Sequence, residues 1–252
     1  MMGGAAVRGG VHAVIFDWGG TLATHAAVEL DDMWALAARH IASEHPVAPS
    51  GARLEAEEVR RRLGSVEEAF WARTATDQRS GTLGDILRDA ASDLGVDVAG
   101  AVLEEAGLHY LDAWTPHIVH DPEAAGTLLA LRERGIAIGM LSNTHWPRAF
   151  HERFLERDDL AGLIDARVYT SELPYMKPHE LAFRAALDAV GRPDPARTVF
   201  VGDRPFDDVH GARSVGMRAV LRPNPHVPPY AVEPDAVIER LPELVPLVDG
   251  WS

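Results

Sequence analysis

The stretch VIFDWGGTL, residues 14–22, determines how the rest of the chain is interpreted. Val11 to Phe16 form a short run of mostly apolar residues, many of them β-branched or aromatic, which predicts a buried strand. The run ends at Asp17, and the two glycines after Trp18 predict a tight turn. A strand that is apolar along its whole length is typical of a parallel sheet with helices on both faces, so we expect such a sheet.

After this turn the composition of the chain changes twice. From about Ala23 to about His117 the chain is rich in Ala, Leu, Glu and Arg with helical spacing of its apolar residues, which predicts four or five helices and no strand. After Pro116, strands and helices alternate. The predicted strands are 136–141, 167–170, 198–202 and 218–221, and the predicted helices are one capped by Asp121 and Pro122 and those at 147–157, 178–190, 206–215 and 241–248. Repeated strand–helix units predict a doubly wound, Rossmann-like parallel sheet.

The helical block interrupts the alternation directly after the first strand, so we interpret it as an insertion. The expected fold class is therefore α/β, with a Rossmann-like core and an inserted all-α cap domain. The predicted boundaries are residues 1–23 and 118–252 for the discontinuous core and 24–117 for the cap. The large or cationic side chains of the cap are Trp34, Trp71, Arg73 and Trp114. They either form the core of the cap or contact the substrate.

The amino-acid composition argues against several kinds of binding partner and several kinds of chemistry. The chain has 252 residues, 46% of them hydrophobic, and a formal net charge of -14 at pH 7, which argues against nucleic acid or an anionic membrane as a partner. It contains no cysteine, so disulfides and thiolate chemistry are excluded. The opening MMGGAAVRGG lacks the apolar stretch of a signal peptide, and no later segment approaches a membrane span. We expect a soluble cytoplasmic protein, monomeric or homodimeric, with a frayed N-terminus.

The informative residues directly follow the predicted strands, because ligands bind at the carboxyl ends of parallel strands. These residues are Asp17, Ser142 with Asn143, Lys177 at the start of a helix, and Asp203 followed by Asp207 and Asp208. Lys177 is the only lysine of the chain. Carboxylates, a hydroxyl and an ammonium at one sheet edge suit a divalent metal together with a phosphoryl group, and Mg²⁺ would bridge the carboxylates to the phosphate. A carboxylate can also attack phosphorus and form an aspartyl-phosphate.

Four segments of the chain resemble, in order and spacing, the four signature motifs of the haloacid dehalogenase superfamily. They are VIFDWGGTL, GMLSNT, MKPHELAF and VFVGDRPFDDVHGA. The resemblance implies that Asp17 is a nucleophile. It also implies that Asp17, the backbone carbonyl of Gly19 and the carboxylate of Asp203 bind Mg²⁺. Asp208 is expected to support the metal shell, and the sequence leaves open whether it or Asp207 lies nearer the metal.

The same resemblance assigns residues around the substrate. Ser142 and Lys177 are expected to hold the phosphoryl oxygens, and Thr21 to complete the phosphate cradle together with backbone N–H groups of the first loop. Asn143 and His145 are the further predicted substrate contacts. The reaction this implies is the Mg²⁺-dependent hydrolysis of a small phosphorylated metabolite through an aspartyl-phosphate.

One position departs from the resemblance. Most phosphatases of the superfamily carry a second aspartate two residues after the nucleophile, where this chain has Gly19. That aspartate is an acid/base, a role typically worth about 10² to 10⁴ in rate. Either the leaving group needs little protonation, or another residue supplies the proton, or the site binds phosphate without efficient turnover. The histidines considered as replacements are His145 first, then His25, His109 and His117.

Three other functions share features with this sequence. A non-catalytic module that binds Mg²⁺ and phosphate would also lack the acid/base. A metal-independent 2-haloacid dehalogenase resembles the chain less, because such enzymes have a tyrosine where this chain has Gly19 and a fourth motif rich in Ser and Asn. Phosphonoacetaldehyde hydrolases resemble the first motif, but they need a cap lysine, and the insertion contains none.

Overall fold

The computed structural model describes residues 10–25, 28–45, 47, 51 and 53–251. The Gly-rich opening that we expected to be frayed lies outside the described residues, apart from Gly10. Within the described part, no helix is long and apolar enough to cross a membrane.

A six-stranded parallel sheet forms the centre of the molecule, with strand order β5-β4-β1-β6-β7-β8. The bounds of its strands are Ala13–Phe16 (β1), Ala137–Ser142 (β4), Ala166–Tyr169 (β5), Thr198–Gly202 (β6), Arg218–Leu221 (β7) and Ala236–Val237 (β8). Strand β1 lies between β4 and β6, with Phe16 in register with Met140 and Val201. The strand that ends in Asp17 is therefore central, as a continuous apolar run predicts.

Helices cover both faces of this sheet. Their bounds are Ala124–Arg132 (α6), Arg148–Arg157 (α7), Glu180–Ala189 (α8), Gly211–Ser214 (α9) and Leu244–Gly250 (α10). Residues of β1 alternate between the two hydrophobic layers, since Val14 and Phe16 pack in one layer and Ile15 packs with Phe183 of α8 in the other. All three β1 residues are fully buried. The doubly wound α/β prediction is confirmed.

Among the described residues, five α-helices separate the first strand of the sheet from the rest. They are Leu30–Met33 (α1), Ala35–Glu44 (α2), Ala56–Asp77 (α3), Leu83–Asp93 (α4) and Gly100–Trp114 (α5). The start of α4 is fixed by a reciprocal capping box, in which the Thr82 side chain accepts from the Asp85 backbone and the Asp85 side chain accepts from the Thr82 backbone. The prediction of four or five helices in this region is confirmed.

Two short strands at the ends of this helical insertion escaped prediction. Strands Ala23–His25 (β2) and Ile118–His120 (β3) pair antiparallel, with Ala23 opposite His120. Three residues are too few to show a period in sequence, and the pairing joins segments almost a hundred residues apart. The expectation of no strand between Ala23 and His117 was wrong at β2, and β3 begins directly after that region. Only the tertiary fold brings these two ends together.

A second difference lies after β6. A regular helix was predicted from 206 to 215, but residues Pro205–His210 form a π-helical turn that leads into α9. The wider turn arises because the backbone N–H of Val209 reaches back to the carbonyl of Arg204. This turn carries Asp207 and Asp208, so its shape decides where those two carboxylates lie.

Candidate active site

Three charged side chains meet at the carboxyl end of β1. Lys177 Nζ donates to Asp17 Oδ1 at 2.6 Å and to Asp208 Oδ1 at 2.7 Å. Asp17 directly follows β1, Lys177 precedes α8, and Asp208 lies in the π-helical turn after β6. The Lys177 side chain is 1% exposed, so its charge is held almost entirely by the two carboxylates.

The loop after β6 contributes a further carboxylate, that of Asp203. Its Oδ2 accepts from Asn224 Nδ2 at 2.7 Å, whereas its Oδ1 is buried and has no hydrogen-bond partner among the described residues. Gly20, with φ of +91°, lies so close to this side chain that a Cβ there would meet Asp203 Oδ2 at 2.1 Å. The turn after Asp17 therefore needs glycine at position 20.

Asp208 is turned back toward the end of β6. Its Oδ2 accepts from the backbone N–H of Arg204 at 2.9 Å. A Cβ at Gly202 would lie 2.3 Å from Asp208 Cγ, so the carboxylate occupies the space that a larger residue would fill. Asp207 is only half-buried and faces Arg204 Nη1 at 3.7 Å. Asp208 rather than Asp207 therefore lies beside Asp17 and Asp203.

Burial and the repulsion between neighbouring carboxylates raise the pKa of two of these carboxyls, those of Asp17 and Asp203. Burial raises the pKa of Asp17 to about 7; Lys177 opposes the rise, and Asp208 and Asp203 add to it. Burial also raises the pKa of Asp203 to about 6, with the charge of Asp208 as the next cause. For Lys177, burial alone would lower the pKa, but Asp17 and Asp208 raise it above its ordinary value. One ammonium thus faces more negative charge than it can neutralise.

This excess of negative charge fits a divalent cation. Asp17, Asp203 and Asp208 each offer one oxygen within 4.8 Å of the others. The unpartnered Oδ1 of Asp203 is the kind of buried acceptor that a hard cation satisfies. Gly19 lines the same cavity, so its backbone carbonyl is at hand for the same cation. The donor set, oxygen throughout, suits Mg²⁺ better than a soft metal.

Asn143, which follows β4, and Lys177, which precedes α8, are joined by two hydrogen bonds. Asn143 Nδ2 donates to the Lys177 carbonyl at 2.9 Å, and the Lys177 backbone N–H donates to Asn143 Oδ1 at 2.8 Å. Both functional atoms of the Asn143 side chain are therefore engaged in orienting Lys177. Ser142, by contrast, is buried and lines the cavity beside Asp17.

A cavity of about 610 Å³ opens above this sheet edge and extends to the helical insertion. Its floor includes Asp17, Ser142 and Lys177, and the insertion contributes Glu67, Trp71 and Trp114 to its wall. The volume suits a small molecule.

Residues 11–216 match the family described as haloacid dehalogenase-like hydrolases. The chain belongs to this family. It is 30% identical over 128 residues, 50% of this chain and 56% of the relative, to the pyrimidine 5'-nucleotidase YjjG of Escherichia coli. It is 37% identical over 99 residues, 39% of each chain, to the phosphoserine phosphatase of Thermus thermophilus. The chain thus spans about half or less of these curated relatives.

The fold is also that of a solved member of the family. The 2-haloacid dehalogenase of Pseudomonas syringae superposes with a TM-score of 0.70 at 23% identity, covering 96% of this chain and 100% of that one. At this identity the likeness concerns the fold alone. The chain is thus a haloacid dehalogenase-like hydrolase whose activity must be argued from its own site.

The haloacid dehalogenase-like site includes most of the side chains expected from the sequence, but not all. Asp17, Gly19, Ser142, Asn143, His145, Lys177 and Asp203 line the cavity, and Asp208 contacts Lys177 beside it. Thr21 is fully buried, does not line the cavity, and its carbonyl accepts from Arg222 at 2.6 Å. The Thr21 hydroxyl is buried without a hydrogen-bond partner among the described residues, and its expected part in the phosphate cradle stays a prediction.

The histidines proposed as replacements for the missing acid/base lie at different places, and only some of them are near the cavity. His145 lines the cavity and is buried, and burial lowers its pKa to about 3, so it is neutral near pH 7. His109 contacts the His40 ring in the helical insertion, and neither it nor His117 is among the described residues lining the cavity. The side chain of His25 lies outside the described part of the chain.

Of the large or cationic side chains of the insertion, some line the cavity and others do not. Trp34 is fully buried and stacks on Tyr110 with ring centroids 3.8 Å apart, so it belongs to the core of the insertion. Trp71 and Trp114 line the cavity. Arg73 is exposed over Phe70 and is not among the lining residues that the structure describes.

Two residues of the site were missed by sequence reasoning. Glu67 lies in α3 among other glutamates, and only the packing of that helix shows that this one faces inward. Asn224 lies in a Pro-rich loop, where an amide gives no signal of a partner; it contacts Asp203 because the loop folds back over β6. Neither could have been found from spacing alone.

Proposed function

We propose that this chain is a Mg²⁺-dependent phosphatase that hydrolyses a small phosphorylated metabolite through an aspartyl-phosphate on Asp17. The observation that carries the proposal is the contact of Lys177 with Asp17 and Asp208 on the floor of the cavity, close to Asp203. A buried ammonium among buried carboxylates is costly to maintain unless ligands balance it. A divalent cation and a phosphoryl group supply that balance together.

The proposal assigns the residues of the site to metal binding, phosphate binding and nucleophilic attack. Asp17, Asp203 and the Gly19 carbonyl hold Mg²⁺, with Asp208 supporting the metal shell. The bound cation supplies charge neutralisation between the carboxylates and the phosphoryl oxygens. Ser142 and Lys177 hold the phosphoryl oxygens, and Asn143 orients Lys177. Lys177 favours the ionised, nucleophilic form of Asp17, because its charge opposes the rise in pKa that burial causes.

The reaction then proceeds in two displacements. An oxygen of Asp17 forms a bond to phosphorus while the bond from phosphorus to the leaving oxygen breaks. Water next attacks phosphorus, the bond to Asp17 breaks, and inorganic phosphate leaves. Positioning and electrostatics supply most of such catalysis. Since Gly19 has no side chain to protonate the leaving oxygen, substrates with good leaving groups are expected to react fastest.

We also propose that α1–α5 act as a cap, with boundaries at residues 24 and 117. The antiparallel pairing of Ala23 with His120 supports this division, because it joins the two connections at one place. Glu67, Trp71 and Trp114 extend from this insertion to the cavity wall, so a cap in this position would exclude water and contact the leaving group.

A metal-independent dehalogenase is the second candidate, favoured by the fold of the solved relative named above. The charges of the site argue against this second candidate. A reaction without a metal has no use for three buried carboxylates around one lysine.

The test is phosphate release from aryl, acyl and alkyl phosphates, with Mg²⁺ and with chelator. We expect Mg²⁺-dependent turnover, fastest on aryl and acyl phosphates, and a loss of at least about 10³-fold in Asp17→Asn. Asp207→Asn, which changes a neighbouring carboxyl outside the proposed machinery, is the matched control and should stay within a few-fold of wild type. Turnover retained in Asp17→Asn contradicts the proposal, and so does halide release that is indifferent to chelator.

A further inference from the structure

A buried carboxylate of the insertion, that of Glu67, faces the cavity with no lysine or arginine among the described residues paired to it. Glu67 is 3% exposed and lines the cavity from α3. Trp34 Nε1 donates to its Oε2 at 2.7 Å, and Tyr110 Oη donates to its Oε1 at 2.8 Å. The Trp71 side chain also helps to lower the pKa of Glu67, against the effect of burial. All three side chains are neutral, so they orient the carboxylate without balancing its charge.

The nearest basic group does not balance it either. His145 Nε2 lies 3.6 Å from Glu67 Oε1, but burial lowers the pKa of His145 to about 3. Its ring is therefore uncharged near pH 7. Burial also raises the pKa of Glu67, opposed by the side chains of Tyr110, Trp34 and Trp71, as expected for a carboxylate that lacks a countercharge.

The lysine and arginine side chains that line the cavity already form ion pairs with aspartates. Among the described lining residues, Lys177 pairs with Asp17 and Asp208, Arg222 with Asp121, and Arg204 with Asp207. Each lies with its own carboxylate on the core side. The cap side of the cavity thus has a negative charge that nothing described in the protein neutralises.

Aromatic rings surround this charge. Trp114 and Trp146 lie with ring centroids 5.2 Å apart and planes inclined at 55°, so they form a corner rather than a stack. Trp71 lies 5.4 Å from the His145 ring on the other side. All three tryptophans line the cavity. Indole rings next to a carboxylate attract organic cations by cation–π and charge interactions together, most strongly where water is excluded.

We propose that the cavity binds the leaving group of a substrate that carries an alkylammonium group, with Glu67 as its countercharge and Trp71, Trp114 and Trp146 as its aromatic wall. This inference rests on the proposed function, since the phosphate end of the same substrate would lie at Asp17 and Lys177. The inference also offers a reason why Gly19 can stand in place of the acid/base aspartate. An ammonium group near the leaving oxygen makes the alcohol a better leaving group, so that oxygen needs less protonation.

The test compares two phosphate esters of the same shape. Phosphocholine carries the cation, and 3,3-dimethylbutyl phosphate replaces its nitrogen with carbon. We expect wild-type kcat/KM with Mg²⁺ to favour phosphocholine by at least about tenfold. In Glu67→Gln the preference should fall by about tenfold, to what leaving-group reactivity alone supplies, with little change for the neutral ester. Glu68→Gln, the next residue on α3 and exposed, is the matched control and should keep the preference.

A second readout separates this inference from the proposed function. Calorimetric titration of both esters into Mg²⁺-loaded Asp17→Asn measures binding without turnover. If wild type hydrolyses neither ester but phosphocholine binds Asp17→Asn more tightly than the neutral ester, the phosphatase proposal fails and the cation site stands. If wild type hydrolyses both esters and Asp17→Asn binds them equally, the cation site is wrong and the phosphatase stands. If Glu67→Gln does not fold, Trp71→Leu replaces it and must also lower the preference.

Discussion

The side chain of Asn143 and the backbone of Lys177 exchange two hydrogen bonds, one in each direction, at 2.9 and 2.8 Å. This pair ties the loop after β4 to the start of α8, two elements that lie far apart in sequence. The Lys177 ammonium then contacts Asp17, the residue that follows β1. Asn143, which lines the cavity and is expected from the sequence to contact the substrate, also fixes the residue that we propose holds the phosphate.

Removing this pair should slow catalysis more than it weakens the fold. We expect Asn143→Ala to reduce kcat on p-nitrophenyl phosphate by about 10²-fold, since a misplaced lysine no longer matches the transferring phosphoryl group. Asn143→Asp keeps the acceptor for the Lys177 N–H and should lose less. Steady-state kinetics with circular dichroism as a folding check measures this, and an unchanged kcat in Asn143→Ala would show that Lys177 needs no such support.

Lys177 is expected to matter for stability as well. Replacing it with Met leaves Asp17 and Asp208 buried without their cation, which should cost about 3 to 5 kcal/mol in the free energy of unfolding. The measurement is urea unfolding at pH 8 in chelator. Arg184→Met, which removes an exposed pair with Glu180 on α8, is the control and should change stability by less than about 1 kcal/mol. A loss below that level in Lys177→Met contradicts the prediction.

Mg²⁺ should stabilise the protein more at high pH than at low pH. The pKa values of Asp17 and Asp203 are raised to about 7 and about 6, so without metal the folded state holds protons that the unfolded state has released above pH 4. Stability therefore falls as pH rises through this window, and a bound cation reverses the loss. At Mg²⁺ a hundred times its Kd, we expect Tm to rise by roughly 5 to 10 °C at pH 8.

Adding Mg²⁺ at pH 5.5 should raise Tm by clearly less than at pH 8, because the cation must first displace the protons on Asp17 and Asp203. Differential scanning fluorimetry with Mg²⁺ or chelator at both pH values makes the comparison. Asp203→Asn removes one proposed ligand and should reduce the rise at pH 8. Equal rises at the two pH values would mean that the raised carboxyls do not bind the cation.

His145 should make the fold sensitive to acid. Its pKa is lowered to about 3 by burial, against 6.5 in the unfolded chain, so its stabilising contribution is present above pH 6.5 and is lost as pH falls below that value. The groups that face it are Glu67 on α3 and Tyr110 on α5. Between pH 7 and pH 5 we expect wild type to lose about 2 kcal/mol more than His145→Gln.

Urea titrations at the two pH values measure this difference. The control is His12→Gln, which changes an exposed histidine and should follow the wild-type profile. If His145→Gln loses as much stability as wild type, the ring is already protonated in the folded state and our account of its burial is wrong.

The parallel core was largely predictable because its signals are local. The alternation of apolar strands and helices predicted β6 and β7 with their observed bounds, and the order of the motifs predicted that Asp17, Lys177 and Asp203 would meet. The carboxyl ends of parallel strands share one edge, so residues after different strands converge whatever their separation in sequence. Short elements such as β2, β3 and β8 carry too few residues for such a signal.

The sequence by itself determined the sheet, the helical insertion and the charged residues at the sheet edge. Only the tertiary structure decided which carboxylate turns inward, because a π-helical turn rather than a regular helix carries Asp207 and Asp208. It likewise decided that Glu67 faces the cavity and that Asn143 supports Lys177. Those outcomes depend on packing between segments distant in sequence, which no local pattern of residues records.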